Sequence, residues 1–341
     1  MKILTFIIPA YNSQAFLHKC VGSMLSPEVL DKLEIIIVND GSTDDTAKIA
    51  ETYCTQYPGV VRLISQENKG HGGALNTGCA AARGKYLKAV DADDWVETQN
   101  LPEFVRLLEQ CGSDVVLTHY HTIDIGTGEI KNWRNYPDAF GKAYSFGEIM
   151  SDWKNFDRSL TFHGITYKTE FYQAHSTPLP EHVFYEDHEY AAFPCCWADS
   201  VMPLDLFIYD YRIGDVNQSV SNENQLRRIG HVETVIRRMT EEYRMLPETD
   251  GKRYAAMKTQ GLVLSYLTTA LLANPNRKEG RRQAKRLMAE CRTEDPELYD
   301  LVKRKYQVFC TMNRLYLNKS IWERILSSKF YNRVLRKHTF D

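Results

Sequence analysis

The densest chemistry in the chain is Asp91-Ala92-Asp93-Asp94. Carboxylates this close repel one another unless a hard divalent cation neutralises them. In an extended segment, a spacing of two puts Asp91 and Asp93 on one side. Mg²⁺ or Mn²⁺ is bound in this way, by one or two carboxylates with phosphate oxygens filling its remaining positions. The same acids also suit the cap of a following helix. Gly70, Gly72 and Gly73 let backbone approach a phosphate and open a helix whose amino end favours anions, although a plain turn is the simpler use of such a run. The run is not a dinucleotide fingerprint, since Leu75 stands where the third glycine would be. No GxxxxGK[ST] occurs, which excludes a P-loop NTPase. Asp40 can accept from a base N–H or cap a helix, and Tyr11 can stack on a base or fill a core.

These residues need elements to bring them together. Apolar runs rich in β-branched residues predict strands at Leu4–Ile8, Glu34–Val38, Val60–Ile64, Tyr86–Ala89 and Val115–Thr118. Helical patterns lie between them, near Ala15–Leu25, Asp44–Tyr57, Gly73–Ala82 and Leu101–Gln110, with Ser42 and Asp45 as a capping pair for the second. Such alternation means βαβ units and a mostly parallel sheet, with ligands at the carboxyl ends of the strands. Pro9-Ala-Tyr11-Asn12, Asn39-Asp40-Gly41-Ser42, Asn68 to Gly73 and Asp91 to Asp94 follow four successive strands, so all four clusters are expected on one sheet edge. Beyond residue 120 the pattern is less regular, with Asp124 to Gly128 reading as a hairpin turn. From about 224 onward it is helical, broken at Asn274-Pro275-Asn276 and Asp295-Pro296.

Phe6 to Asn12, Val38 to Asp44, Asn68 through Asn76 and Asp91 to Asp94 resemble, in order and spacing, the family-2 glycosyltransferases of GT-A fold over about residues 1 to 222. The resemblance implies an α/β fold: a Rossmann-like, mostly parallel central sheet flanked by helices, here with a C-terminal α-helical extension. It divides the chain into a catalytic domain (1–222, nucleotide-binding half 1–118, acceptor half 119–222) and a helical, basic region (223–341). It also implies an inverting transferase that uses a nucleotide-diphosphate sugar, with uridine as the expected base, and a divalent metal, Mn²⁺ or Mg²⁺. Pro9, Tyr11 and Asp40 would surround the base. Asn68, Gly70, Asp91, Ala92, Asp93 and Arg212 complete the donor contacts, with Asp93 and Asp91 at the metal. Tyr185-Glu186-Asp187 matches the family's later acidic pair, making Asp187 the general base and Glu186 an acceptor-side residue. Tyr209 to Arg212 and Gln218 to Ser221 resemble its late active-site loop. Leu75 departs from the arginine that many members carry there, leaving the metal, Lys69 or Arg212 to meet the diphosphate.

His163 and His182 lie where acceptor contacts are expected, whereas His119 and His121 lack a third ligand for zinc. Trp95, Trp153 and Trp197 could stack on sugar rings, but core packing is the expected use of each. Apolar residues form 43% of the 341 and charged residues 25%, which excludes a disordered or fibrous chain. Eight cysteines without a CxxC pair fit reduced thiols in a cytosol. No stretch is apolar enough to span a membrane and no signal peptide is evident. The net charge of −2 hides a split, because residues 277 to 341 carry 17 basic and 8 acidic side chains. Ile321, Trp322, Ile325, Leu326, Phe330, Val334 and Leu335 form an apolar helical stripe among Arg324, Lys329, Arg333, Arg336 and Lys337. This helix suits either an anionic cytoplasmic leaflet, and so a lipid-linked acceptor, or packing on the protein itself, and an exposed apolar face would favour self-association. Nucleic acid is not an expected partner. A bacterial cell-surface polysaccharide transferase, cytoplasmic or peripheral on the inner face of the plasma membrane, is the leading expectation. A nucleotidyltransferase, which would need a glycine-rich basic loop in place of Pro9 to Asn12, and a catalytically silent sugar-nucleotide or glycan-binding module are the alternatives.

Overall fold

The computed structural model describes residues 1–215 and 222–327. Its strands are β1 (Leu4–Ala10), β2 (Leu33–Asp40), β3 (Val61–Gln66), β4 (Tyr86–Ala89), β5 (Trp95–Val96), β6 (Val115–Asp124), β7 (Ile130–Trp133), β8 (Ile165–Lys168) and β9 (Val201–Ile213). Helices α1 (Leu17–Met24), α2 (Thr46–Gln56), α3 (Gly70–Ala81) and α4 (Leu101–Gln110) alternate with the first strands, as the pattern predicted. Later come α5 (Phe146–Ser151), α6 (Trp153–Phe156), α7 (Thr169–His175) and α8 (Asp187–Ala192).

The strands form one sheet in the order β3-β2-β1-β4-β8-β6-β9-β5, with β7 also on β6. β3, β2, β1 and β4 are mutually parallel, and so are β6 and β9. β8, β5 and β7 run antiparallel to their neighbours. This is the α/β architecture expected, a curled, mostly parallel sheet with helices around it. Every residue of β1 and β2 is buried, as parallel strands covered on both faces require. α3 lies unusually close to them, since a Cβ on Gly78 would sit 2.3 Å from Ile7 Cγ2 and 3.2 Å from Val38 Cγ2. The hairpin between β6 and β7 turns at Asp124 to Gly128, where Gly128 takes φ +75° and donates to the Asp124 carbonyl.

Two local expectations need correction. Ser42 and Asp45 do not cap α2; Asp44 does that work, its Oδ1 accepting from the Thr46 N–H at 3.0 Å, while Ser42 Oγ accepts from the Asn12 N–H. α3 begins at Gly70, not Gly73, so the glycine run forms its first turn.

The chain forms two compact units, Met1–Val216 with Met245–Ala255, and Asn217–Arg244 with Ala256–Asp341. The short return to the first unit is anchored by Tyr254, whose buried hydroxyl donates to the Ala191 carbonyl at 3.1 Å. The second unit is helical: α9 (Asn222–Arg227), α10 (Ile229–Met245), α11 (Asp250–Thr268, shared with the first unit), α12 (Arg277–Glu294), α13 (Pro296–Arg314) and α14 (Lys319–Ser327). Buried Glu233 of α10 accepts both from Arg286 and from the Tyr266 hydroxyl, holding three of these helices together. Trp322 packs edge-on against Phe309 at 5.0 Å, so the start of the basic helix is partly spent on α13. The side chains of Ile325 and Leu326, and Lys329, Phe330, Arg333, Val334, Leu335, Arg336 and Lys337, lie outside the described residues, as do Gln218, Ser219 and Ser221. Among the described residues no helix is long and apolar enough to cross a membrane.

Candidate active site

The parallel strands deliver the four polar clusters to one sheet edge, where they bond to each other. Asn12 Oδ1 accepts from the Thr43 N–H at 2.8 Å, and Asn68 Nδ2 donates to the Asp40 carbonyl at 2.9 Å. Asp40 is buried at the end of β2, its Oδ1 accepting from Gln66 Nε2 and the Lys69 N–H at 2.7 and 2.8 Å. Pro9 is buried in β1, and Tyr11 beside it is 54% exposed, free to present a ring face.

After β4 the chain turns tightly, the Asp94 N–H donating to the Asp91 carbonyl at 3.0 Å, with Ala92 buried in the turn. This brings carboxylate oxygens of Asp91, Asp93 and Asp94 within 4.8 Å of one another. An all-oxygen donor set of this kind fits Mg²⁺ or Mn²⁺ rather than a softer metal. Each acid has its own environment. Asp94 is buried, with the Tyr209 hydroxyl donating to it at 2.6 Å and the Arg212 N–H at 2.8 Å. Burial, reinforced by the Asp91 and Asp93 charges, pushes its carboxyl well above the usual range. Asp93 faces Arg212, with Nη1 at 3.8 Å, and Arg212 also pairs with Asp215. The expected positive charge thus arrives from β9. Leu75 is fully buried and contributes packing only, while Lys69 pairs with Glu181 at 3.4 Å.

Asp91 is held by a residue to which the sequence assigned no role of its own. His71, in the first turn of α3, places Nε2 2.8 Å from Asp91 Oδ1 and Nδ1 2.5 Å from Glu186 Oε1. A neutral imidazole has one donor and one acceptor, so serving two carboxylates calls for an extra proton. Burial works against charge on the ring, yet Asp91 and then Glu186 raise its pKa well above the ordinary value. Burial likewise works to raise Asp91, but His71 outweighs it and holds that carboxyl below its usual value. Glu186 is 2% exposed, and Asp187 follows it as the first residue of α8.

Asp187 lies where its charge acts on His163 and Tyr211. The His163 ring stacks on Tyr211 at 4.2 Å and on Tyr120 at 5.1 Å. Burial pushes it down to about 4 against the pull of Asp91 and Asp187, leaving a neutral aromatic wall. Beneath it, Lys88 is fully buried and donates to the His163 and Ile165 carbonyls at 2.8 and 3.1 Å. Tyr209, from the segment expected to resemble the late active-site loop, takes a more specific part, since its hydroxyl also accepts from the Asp91 N–H at 3.1 Å. His182 meets Lys69 through its backbone, donating to the Lys69 carbonyl at 2.9 Å. His119 pairs with Asp205 at 3.2 Å and His121 with Asp210 at 2.9 Å, and Glu97 joins His121 and Asp210 in a three-ligand group that sequence spacing did not show. Lys19 covers Trp95, Trp153 packs near Tyr254, and Trp197 stacks on His175.

The chain is 31% identical over 158 residues to the glycosyltransferase GlyG of Streptococcus pneumoniae, covering 45% of this chain and 52% of that protein. It is 39% identical over 142 residues to the chondroitin synthase of Escherichia coli, covering 40% and 20%. It therefore spans about half the length of GlyG and a fifth of the synthase. Among solved structures it resembles S. aureus TarS 1–349 in complex with UDP-GlcNAc, with a TM-score of 0.56 at 18% identity over 90% of this chain and 92% of that one. It also resembles the mannosyltransferase PcManGT of Pyrobaculum calidifontis in complex with GDP-Man and Mn²⁺, at 0.51 and 16% over 91% and 84%. At these identities the likeness is one of fold, the GT-A glycosyltransferase fold. The profile described as "Glycosyl transferase family 2" matches residues 5–177, half of the chain, and with the strand-end motifs assembled on one edge the chain belongs to that family.

Proposed function

We propose that the protein is an inverting, metal-assisted glycosyltransferase. It would move a sugar from a nucleotide-diphosphate donor, a UDP-sugar by family resemblance, to a hydroxyl of a glycan or lipid-linked acceptor in cell-surface polysaccharide synthesis. The observation that carries this proposal is the joining of the Asp91–Asp94 cluster to Glu186 through one imidazole, next to Asp187. The complexes of TarS with UDP-GlcNAc and of PcManGT with GDP-Man and Mn²⁺ support the donor class and the metal.

In this proposal Tyr11, Pro9 and Asp40 receive the base, and Asn68 and Gly70 shape the loop beside it. Asp93 and Asp91 hold the metal, which would neutralise charge on the departing diphosphate. Arg212 adds a fixed positive group on the same side. Asp187 takes the proton from the acceptor hydroxyl as its oxygen attacks the anomeric carbon; the bond to the diphosphate breaks in the same displacement, inverting the configuration. His163 and Tyr211 offer the acceptor a neutral stacking surface. The basic 277–341 stretch would suit the anionic cytoplasmic leaflet, where a lipid-linked acceptor resides.

The test is a panel of nucleotide sugars titrated with Mn²⁺ and again with EDTA. Metal-dependent binding of one donor, abolished in Asp93→Ala, is expected. Asp187→Asn should keep that binding and lower transfer by about 10²–10⁴-fold. A chain that binds no nucleotide sugar in either condition is not a transferase, and a glycan-binding role would replace it.

A further inference from the structure

We infer that His71 is a positioning residue that locks the metal-side aspartate to the segment bearing the base, so that one imidazole sets the donor site and the acceptor site in register. The inference rests on the transferase proposal above.

The two carboxylates it joins are 20 and 115 residues away in sequence, one after β4 and the other just before α8. His71 does not act alone. The first half of α3, with Lys69 before it, meets the 179–186 segment at Leu179, Pro180, Glu181, His182 and Glu186. Asn76 clasps the Leu179 backbone twice, at 2.9 Å each way, and the His182 N–H bonds the Lys69 carbonyl. A Cβ on Gly72 would lie 2.6 Å from the Pro180 carbonyl oxygen, and one on Gly70 2.8 Å from His182 N. The glycines of this run therefore permit a close approach of chain to chain. Between these anchors and Asp187, His182 and Tyr185 adopt φ of +56° and +74°. Side-chain-bearing residues rarely hold such angles, which cost on the order of 1–3 kcal/mol each and persist only where the surroundings impose them. The last restraint before α8 is the bond from Glu186 to His71. A buried carboxylate that loses its charged partner must turn toward water or take up a proton, and Asp187 is the next residue.

The test is a double-mutant cycle on the full chain, using Mn²⁺ with UDP, GDP, CDP and dTDP as probes. Glu186→Gln is close to isosteric and touches neither nucleotide nor metal in the proposed site. It should still weaken Mn²⁺-dependent nucleotide binding about 3–10-fold, because His71 carries the change to Asp91. In a His71→Ala background the same substitution should change binding less than about 2-fold. His71→Ala should also lower kcat for donor turnover about 10–100-fold beyond its effect on KM, the size of loss that misplaced reacting groups produce. If His71→Ala does not fold, His71→Gln, which can keep one of the two bonds, completes the cycle. A merely structural role would lower Tm and leave the two effects additive. Additivity, or a Glu186→Gln protein that binds nucleotide as the wild type does, overturns the inference alone. A wild-type chain that binds none of the four nucleotides overturns the transferase proposal, and the inference with it.

Discussion

Lys88 is the most exposed to test of all the buried groups, because its consequence is a slope and not just a loss. Its ammonium sits fully buried in β4, donating to the His163 and Ile165 carbonyls, with the Tyr209 ring 5.6 Å away. Burial alone pushes it from 10.5 down to about 7. Below pH 7 both folded and unfolded chains carry the proton, and the folded state bears the whole cost of burying it. Between 7 and 10.5 the folded chain has released the proton while the unfolded chain keeps it, so stability rises with pH across that window. At about 1.4 kcal/mol per tenfold change in proton affinity, the full swing is roughly 4–5 kcal/mol, of which about 2 kcal/mol falls between pH 7 and 9. Lys88→Met removes the proton site. It also leaves two carbonyls without a donor, an offset of about 1–3 kcal/mol that does not vary with pH. Buried thiols such as Cys79, raised to about 12 by burial, push the other way, since the unfolded thiol ionises first. They do so identically in both proteins and cancel in the comparison. Urea unfolding followed by tryptophan fluorescence, which reports mainly on the first unit, should show the wild type gaining about 2 kcal/mol on Lys88→Met from pH 7 to 9. Stabilities that run parallel to within about 0.5 kcal/mol would refute a lysine titrating near neutrality.

Tyr209→Phe removes a donor from Asp94 and an acceptor from the Asp91 N–H; if the acidic cluster holds the proposed metal, Mn²⁺ affinity by calorimetry should fall about 10-fold or more, as for other groups that orient metal ligands, and unchanged affinity would separate Tyr209 from the candidate metal site. Gly78→Ala drives a methyl into Ile7 and Val38, and the urea midpoint should drop by the equivalent of about 1–3 kcal/mol; a wild-type midpoint would mean that α3 can retreat from β1 without cost.

The parallel half of the sheet was legible because its strands are unbroken apolar runs with helical patterns between them. β1, β2, β3 and β4 match the predicted segments to within a few residues, and so does the start of β6. β9 was not foreseen. It carries Asp205 and Asp210 among its apolar residues, and it is organised by a long parallel pairing with β6 that contains register shifts, not by a period of its own. β8 was missed for a related reason. It is four residues long and lies antiparallel between β4 and β6, so its place depends on both neighbours. The start of α3 was set three residues late because glycines read as a turn. Here they are helical, with Asn76 clasping Leu179 and the Lys69 carbonyl bonded to His182.

The acids of the candidate site were readable where strand ends and close spacing coincide; what holds them was not. His71, Tyr209 and Lys88 owe their roles to partners 20 to 118 residues away, and no spacing rule reaches that far. Position 75 shows the same logic from the other side. Read in sequence, Leu75 removes a positive charge that the family resemblance puts on α3. In the folded chain Leu75 is sealed in the core, and a guanidinium stands 3.8 Å from Asp93 after all, carried by Arg212 on β9. The Arg212 N–H also bonds Asp94, and Asp215 fixes its side chain. The charge beside the acidic cluster is therefore tied to the strand whose Tyr209 orients that cluster. A substitution that loosens β9 should then weaken the acids and their counter-charge together, whereas one on α3 should act on the segment that carries Glu186 and Asp187 first.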